Sequence, residues 1–155
     1  MELNIKGFTV LIDDDDWEMV SKFTWSRFSS KERPYFHAYA GGGAKNSKFV
    51  SLHRLIMNAL DGDIVDHVNG DTCDNRKCNL RLCSRKENTR NMKRKCNNTS
   101  GYKGVHWAKK QRKWSAHIRV DYKVIYLGAF DTAELAYSAY CEAAKKYFGE
   151  FARLK

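Results

Sequence analysis

The chain has 155 residues, 43% of them hydrophobic, with 28 Lys and Arg against 18 Asp and Glu for a formal net charge of +10. That length suits one medium domain or two small ones, and no apolar run approaches the ~18 residues needed to cross a bilayer. The opening MELNIKGFTV lacks the basic-then-apolar pattern of a secretory signal, and five cysteines cannot all pair within the chain. Neither a membrane span nor a secreted disulfide scaffold is expected, and a soluble intracellular protein with reduced thiols is.

The charge is unevenly spread: residues 1–75 carry a balance of −4 and residues 76–155 a balance of +14. Two small units explain this better than one domain. A basic half with Trp, Tyr and His set among its cations suits a phosphate-rich polyanion, because cations displace condensed counterions while rings pack on sugars or bases. Nucleic acid is the expected partner.

In chain order, FTVLI at residues 8–12 reads as a strand. The aspartates at 13–16 then offer an N-cap and first-turn negative charge to a short helix over residues 17–23. PYFHAYA (34–40) and KFVSL (48–52) read as strands joined through Gly41, Gly42 and Gly43, followed by a short helix from His53. Residues 84–95 begin helical and end as a basic tether, and NNTSG at 97–101 is loop chemistry. The expected domains are residues 1–97 and 98–155. From Tyr102 three strands follow, YKGVHWA, KWSAHIRV and KVIYLGAF. In the middle one Trp114, Ala116, Ile118 and Val120 alternate with Ser115, His117, Arg119 and Asp121, which predicts one packed face and one open face. Asp131 with Glu134 predicts a capping-box start for a helix that runs through Leu135, Ala136, Ala139, Tyr140, Ala143 and Tyr147 and stops at Gly149.

The chemistry concentrates in VDHVNGDTCDNRKCNLRLCSRKEN, residues 65–88. Hydrolysing a phosphodiester needs an activated water, neutralisation of the charge on the phosphate and stabilisation of the leaving oxygen, which a divalent metal and one histidine can supply. Asp66 and His67 are adjacent, so in a strand they point to opposite faces, and VNGD is the turn that could bring both to one pocket. Asn79 lies 12 residues past His67, and Asn88 a further 9, on the basic segment. Oxygen donors of this kind suit Mg²⁺. Cys73, Cys78, Cys83 and Cys96 are separated by 5, 5 and 13 positions, unlike the two-residue spacing of a zinc knuckle, so no zinc is expected.

The blocks LHRLIM (52–57), VDHVNGD (65–71), DNRKCNLR (74–81) and KENTRN (86–91) resemble the HNH endonucleases carried as mobile, homing-type elements by phages. The resemblance covers about residues 8–95. It implies a ββα-metal (His-Me) finger in which Asp66 and Asn88 hold Mg²⁺ or another divalent ion such as Mn²⁺. It further implies that His67 is the general base and Asn79 orients it, while His53 looks structural. Arg85, Arg90, Lys93, Arg94 and Lys95 are the phosphate-contacting candidates of the tether.

SGYKGVHW, KWSAHIRV, YLGAFDTAELAYSAY and GEFARL resemble the DNA-binding domain of plant ethylene-response factors, the AP-two/ERF type, over about residues 98–155. In that family the three-stranded sheet enters the major groove. The implied contacts are Lys103, His106, Trp107, Trp114, His117, Arg119 and Tyr126, with Lys109, Lys110, Arg112 and Lys113 near phosphates. His106, His117 and Tyr126 stand where plant relatives usually carry Arg, Glu and Trp, so their base preference does not transfer, and Arg119 becomes the first candidate to read a base. Trp114 falls in the apolar register of its strand and also suits the core.

Together these readings give an α+β chain: a β-rich nuclease unit with a ββα-metal motif, then a three-stranded antiparallel sheet with one helix. The expected activity is metal-dependent cleavage of duplex DNA, by a monomer or weak dimer, in the host cytoplasm if the gene is a phage's. The alternatives are a non-catalytic DNA-binding regulator on a degenerate HNH scaffold and, more remotely, an RNA-directed protein.

Overall fold

A computed structural model of the chain describes residues 1–28, 34–40, 48–91 and 98–154. These divide into two compact units, Met1–Asn88 and Thr89–Lys155. No helix among the described residues is long and apolar enough to cross a membrane. The glycine turn at residues 41–43 and the cations Lys93, Arg94 and Lys95, with Cys96, lie outside the described residues.

The first unit opens with a hairpin that the sequence reading missed. β1 (Glu2–Ile5) pairs antiparallel with β2 (Phe8–Leu11) through Lys6 and Gly7, whose φ angles of 53° and 85° give the left-handed two-residue turn that matches strand twist. A 3-10 turn (Asp14–Asp16) and the one-turn helix α1 (Trp17–Val20) follow, shorter than the helix expected to reach residue 23. The aspartates do not cap it by side chain. Asp13 instead accepts the Lys77 backbone N–H at 2.7 Å, and Asp16 pairs with the Lys77 ammonium at 2.6 Å, tying this segment to a distant one.

β3 (Ser26–Phe28), β4 (Tyr35–Ala40) and β5 (Lys48–Ser51) form an antiparallel sheet in that order. The helix α2 (Leu52–Ile56) leaves it at once and ends before Asn58, whose φ is +46°. The core gathers Ile5, Val10, Ile12, Val20, Phe36, Leu52, Ile56 and Leu80. Phe36 is fully enclosed, so truncating it would cost about 3–5 kcal/mol. Against this core lie β6 (Ile64–His67) and β7 (Leu80–Cys83), an antiparallel pair followed by α3 (Arg85–Arg90). Ser84 starts α3 as a capping box: its N–H and hydroxyl both reach the Glu87 carboxylate at 2.7 Å, and its Oγ accepts the Glu87 N–H at 3.3 Å.

In the second unit β8 (Val105–Ala108), β9 (Lys113–Val120) and β10 (Lys123–Phe130) make an antiparallel sheet with β9 in the middle, and α4 (Ala133–Phe148) crosses one face. The alternation read in β9 holds for its packed face, where Ala116 and Ile118 are buried among Val105, Ala136, Tyr140, Ala143, Ala144 and Phe148, whereas Ser115, expected on the open face, is buried as well. The helix begins one residue later than the capping-box reading placed it. Thr132 is the N-cap, its Oγ1 accepting the Leu135 N–H at 3.3 Å, while Glu134 takes a hydrogen bond from the Tyr102 hydroxyl at 3.2 Å. Residues 89–91 pack with this unit. The Arg90 guanidinium lies 4.8 Å from the Phe148 ring centroid, its carbonyl accepts from Lys103 Nζ at 2.8 Å, and Asn91 is buried.

Gly104 has no room for a side chain. Its φ is +76°, its carbonyl accepts the His117 N–H at 2.8 Å, and a methyl there would meet the Tyr140 ring and the His117 carbonyl at 2.7 Å. Gly104→Ala is therefore expected to destabilise the second unit by about 2–3 kcal/mol, read as a lower urea midpoint for that unit's unfolding transition with the first unit's unchanged.

Candidate active site and nucleic-acid interface

The register of β6 and β7 pairs Asp66 with Arg81 and His67 with Leu80, which sends the two candidate residues to opposite faces of the ribbon. His67 is the last residue of β6, and a tight turn follows in which Gly70 donates to the His67 carbonyl at 2.8 Å. Both side chains are enclosed, with 8% of Asp66 and 4% of His67 exposed.

His67 sits in a ring cluster. The His53 and Tyr35 centroids lie 5.5 and 6.3 Å from it, and Tyr35 also contacts His53 at 5.6 Å. Burial drives the His67 imidazole below its ordinary value and outweighs the upward pull of its Asn75 hydrogen bond and of Asp66, Asp71 and Asp74. Burial, with His67 and Arg54 adding to it, drives His53 down to about 4. Both rings are neutral at pH 7. A neutral imidazole can accept a proton, which is the requirement for a general base.

The turn between β6 and β7 is braced by amides. Asn79 Oδ1 accepts the Asn69 N–H at 3.0 Å and Asn79 Nδ2 donates to the Asp74 carbonyl at 2.7 Å, while the Asn79 carbonyl accepts the Val68 N–H at 2.8 Å. Asn79, read from the sequence as the residue that orients His67, thus holds the turn that follows the histidine. The side chain on the His67 ring is Asn75, whose Oδ1 lies 3.2 Å from Nε2. Asp74 is gripped by Arg76 through two bonds of 2.8 Å, and that guanidinium holds its carboxyl below the usual range. Nothing in residue spacing separated Asn75 from Asn69 or Asn79. The clue available was its place in the DNR triplet.

Asp66 Oδ2 accepts from Arg81 Nη2 at 2.9 Å and Nε at 3.2 Å. Asn88 lies on α3, half-buried, and its backbone N–H donates to the Ser84 carbonyl at 3.0 Å. Burial and the nearby Asp66 charge push the Cys83 thiol up. The donor chemistry of Asp66 and Asn88, one carboxylate and one amide oxygen, fits a hard cation that retains water. No three His, Cys, Asp or Glu residues gather around one point among the described residues. A cation here would also draw on water or phosphate oxygens.

In the second unit His106, His117, Arg119 and Tyr126 come to the face of the sheet away from α4. His117 stacks on His106 at 4.9 Å and tilts against Tyr126 at 5.3 Å, and its imidazole is lowered by burial and by His106. Trp107 pairs with Trp114 in the register of the helix-packed face, the rings meeting edge-on at 5.2 Å. Trp114 packs against the core, and Trp107 stays 44% exposed at the sheet end. Lys109, Lys110 and Arg112 are exposed around the β8–β9 turn, and Lys113 pairs with Asp131 at 3.2 Å. Lys103 is half-buried with its ammonium on the Arg90 carbonyl, and burial lowers it. Arg85 is exposed at the start of α3, whereas Arg90 is committed to Phe148 and to Asp121 at 3.9 Å.

Residues 50–90 match the HNH endonuclease family, and residues 100–150 match the AP2 domain family. The chain belongs to the proteins that join an HNH endonuclease domain to an AP2 domain. It is 32% identical over 108 residues to "Protein 3.8" of Escherichia phage T7, a stretch that covers 66% of this chain and 88% of that protein. No solved structure matches the chain.

The buried rings carry a pH signature. His53 binds a proton more readily unfolded, near 6.5, than folded, near 4, so protonation favours unfolding. Its contribution is intact above pH 6.5 and is lost as pH falls towards 4. The first unit is expected to lose about 2 kcal/mol between pH 7 and pH 5 from His53. Chemical denaturation at the two pH values measures this, and His53→Gln should flatten the slope.

Proposed function

We propose that the protein is a divalent-metal-dependent DNA endonuclease of the mobile, homing type, encoded by a phage and acting in the host cell. The first unit hydrolyses a phosphodiester, and the sheet of the second holds the duplex. The observation that carries this reading is the neutral, enclosed His67 at the end of β6, beside Asp66, within the segment that matches HNH endonucleases.

In this reading His67 takes the proton from water as that water attacks phosphorus, the bond to the 3′ oxygen breaks, and the departing oxygen takes a proton from solvent water, leaving 5′-phosphate and 3′-hydroxyl ends. Asp66 and Asn88 hold the cation, Mg²⁺ or Mn²⁺, whose chemistry is to neutralise the phosphate as charge builds on it. Arg81 holds the Asp66 carboxylate in place through its two hydrogen bonds. Asn79 keeps the turn after His67 in shape. Arg119, on the open face with His106, His117 and Tyr126, reads base edges, while Lys109, Lys110 and Arg112 contact phosphates with Arg85 and the tether cations Lys93, Arg94 and Lys95.

A second reading, a DNA-binding regulator on an inactive HNH scaffold, is favoured by one observation: Asp66 already has a charge partner in Arg81, and the pair is largely buried. A supercoiled plasmid separates the two. The endonuclease is expected to nick it only with a divalent cation. His67→Ala should lower the rate at least about 100-fold while DNA affinity stays as it was. Wild-type protein that binds its own locus and never cuts it with any divalent ion would leave the regulator.

A further inference from the structure

We propose that Asn75 is the positioning residue that sets the tautomer of His67, so that the ring carries its proton on Nε2 and presents Nδ1 as the basic nitrogen. The inference deepens the reading of His67 as general base and rests on it for its catalytic meaning.

The two ends of the Asn75 amide differ chemically. Its Nδ2 lies 3.1 Å from the Thr72 carbonyl, which can only accept. Turning the amide over would set Oδ1 against that carbonyl, two acceptors in contact with no water between them, since only 1% of Asn75 is exposed. Thr72 therefore fixes Nδ2 towards itself and Oδ1 towards His67.

Oδ1 in turn dictates the ring. It lies 3.2 Å from His67 Nε2, and an amide oxygen can only accept. A proton on Nδ1 would leave the Nε2 lone pair facing the Oδ1 lone pair inside the fold. A proton on Nε2 converts the same contact into a hydrogen bond and leaves the lone pair of the neutral ring on Nδ1.

Asn75 can impose this because its own backbone is clamped. Its N–H donates to the Leu11 carbonyl at 2.8 Å, and Leu11 donates to the Cys73 carbonyl at 2.8 Å, so β2 grips residues 73–75 from both sides. Tyr35 and His53 flank the His67 ring and limit its rotation. The proton taken from water would then arrive on Nδ1, with the Nε2–H bond to Asn75 retained throughout. Asn79 braces the turn and Asn75 sets the ring, two separate duties within one polar segment.

The test uses the full-length protein labelled with ¹⁵N, without DNA, at a pH where the histidines are neutral. The His67 ring is expected to show a protonated, pyrrole-type Nε2 and an unprotonated, pyridine-type Nδ1. The reverse pattern, or the averaged pattern of a free imidazole, overturns the proposal, and this measurement needs no variant to fold. Asn75→Leu should lose the single tautomer and lower plasmid-nicking kcat about 100-fold with KM unchanged. An Asn75→Leu protein that unfolds cooperatively and retains full kcat overturns the proposal. If the wild type never cuts DNA, the endonuclease reading fails, and the ring spectra still decide the Asn75–His67 relation.

Discussion

Burying a polar turn is costly unless each donor and acceptor within it finds a partner, and the connection between β6 and β7 is built around that constraint. Asn69, Thr72, Asp74, Asn75 and Asn79 close a mesh of side-chain and backbone bonds, and all but Asn69 in that group are buried. Each broken link would leave a group unsatisfied at about 1–3 kcal/mol, so the mesh forms as a unit. The hairpin edge at Leu11 and the Asp13 and Asp16 contacts to Lys77 fasten it to the N-terminal strands. The position of His67 is a consequence of this mesh more than of the two-stranded ribbon that carries it.

Two opposite electrostatic environments lie on the two faces of that ribbon. On one, enclosure with Tyr35 and His53 favours uncharged imidazoles. On the other, Arg81 sits on Asp66 and supplies the positive charge that a buried carboxylate requires. The imidazole and the carboxylate are neighbours in sequence and separated by the pleat, which is how one dipeptide serves two different surroundings.

The second unit divides its labour by face in a simpler way. Small residues on α4, Ala136, Ala143 and Ala144 among them, let the helix lie close over Ala116 and Ile118, and Gly104 admits the Tyr140 ring where any side chain would block it. That packing covers most of the apolar face, Trp114 included, and leaves Trp107 half exposed at its end. The other face carries two histidines, a tyrosine, Arg119 and the exposed Val124, edged by the cations of the β8–β9 turn.

Period and composition carried much of this in one dimension. The strict alternation in residues 113–120, the alanine-rich spacing of α4, the asymmetry of charge and the ordered HNH blocks were all legible, because each depends on residues close together in the chain. The β1–β2 hairpin has a local signal too, Lys6–Gly7 between two short apolar runs. Other features had no local signal. The aspartates at 13–16 looked like helix caps, and only the fold brings Lys77 to them from more than sixty positions away. Among several asparagines of one type in one turn, no spacing rule marks Asn75 as the one that meets His67. That choice belongs to tertiary structure, because hydrogen-bond partnership inside a protein is set by which acceptors are left facing each other once water has been excluded.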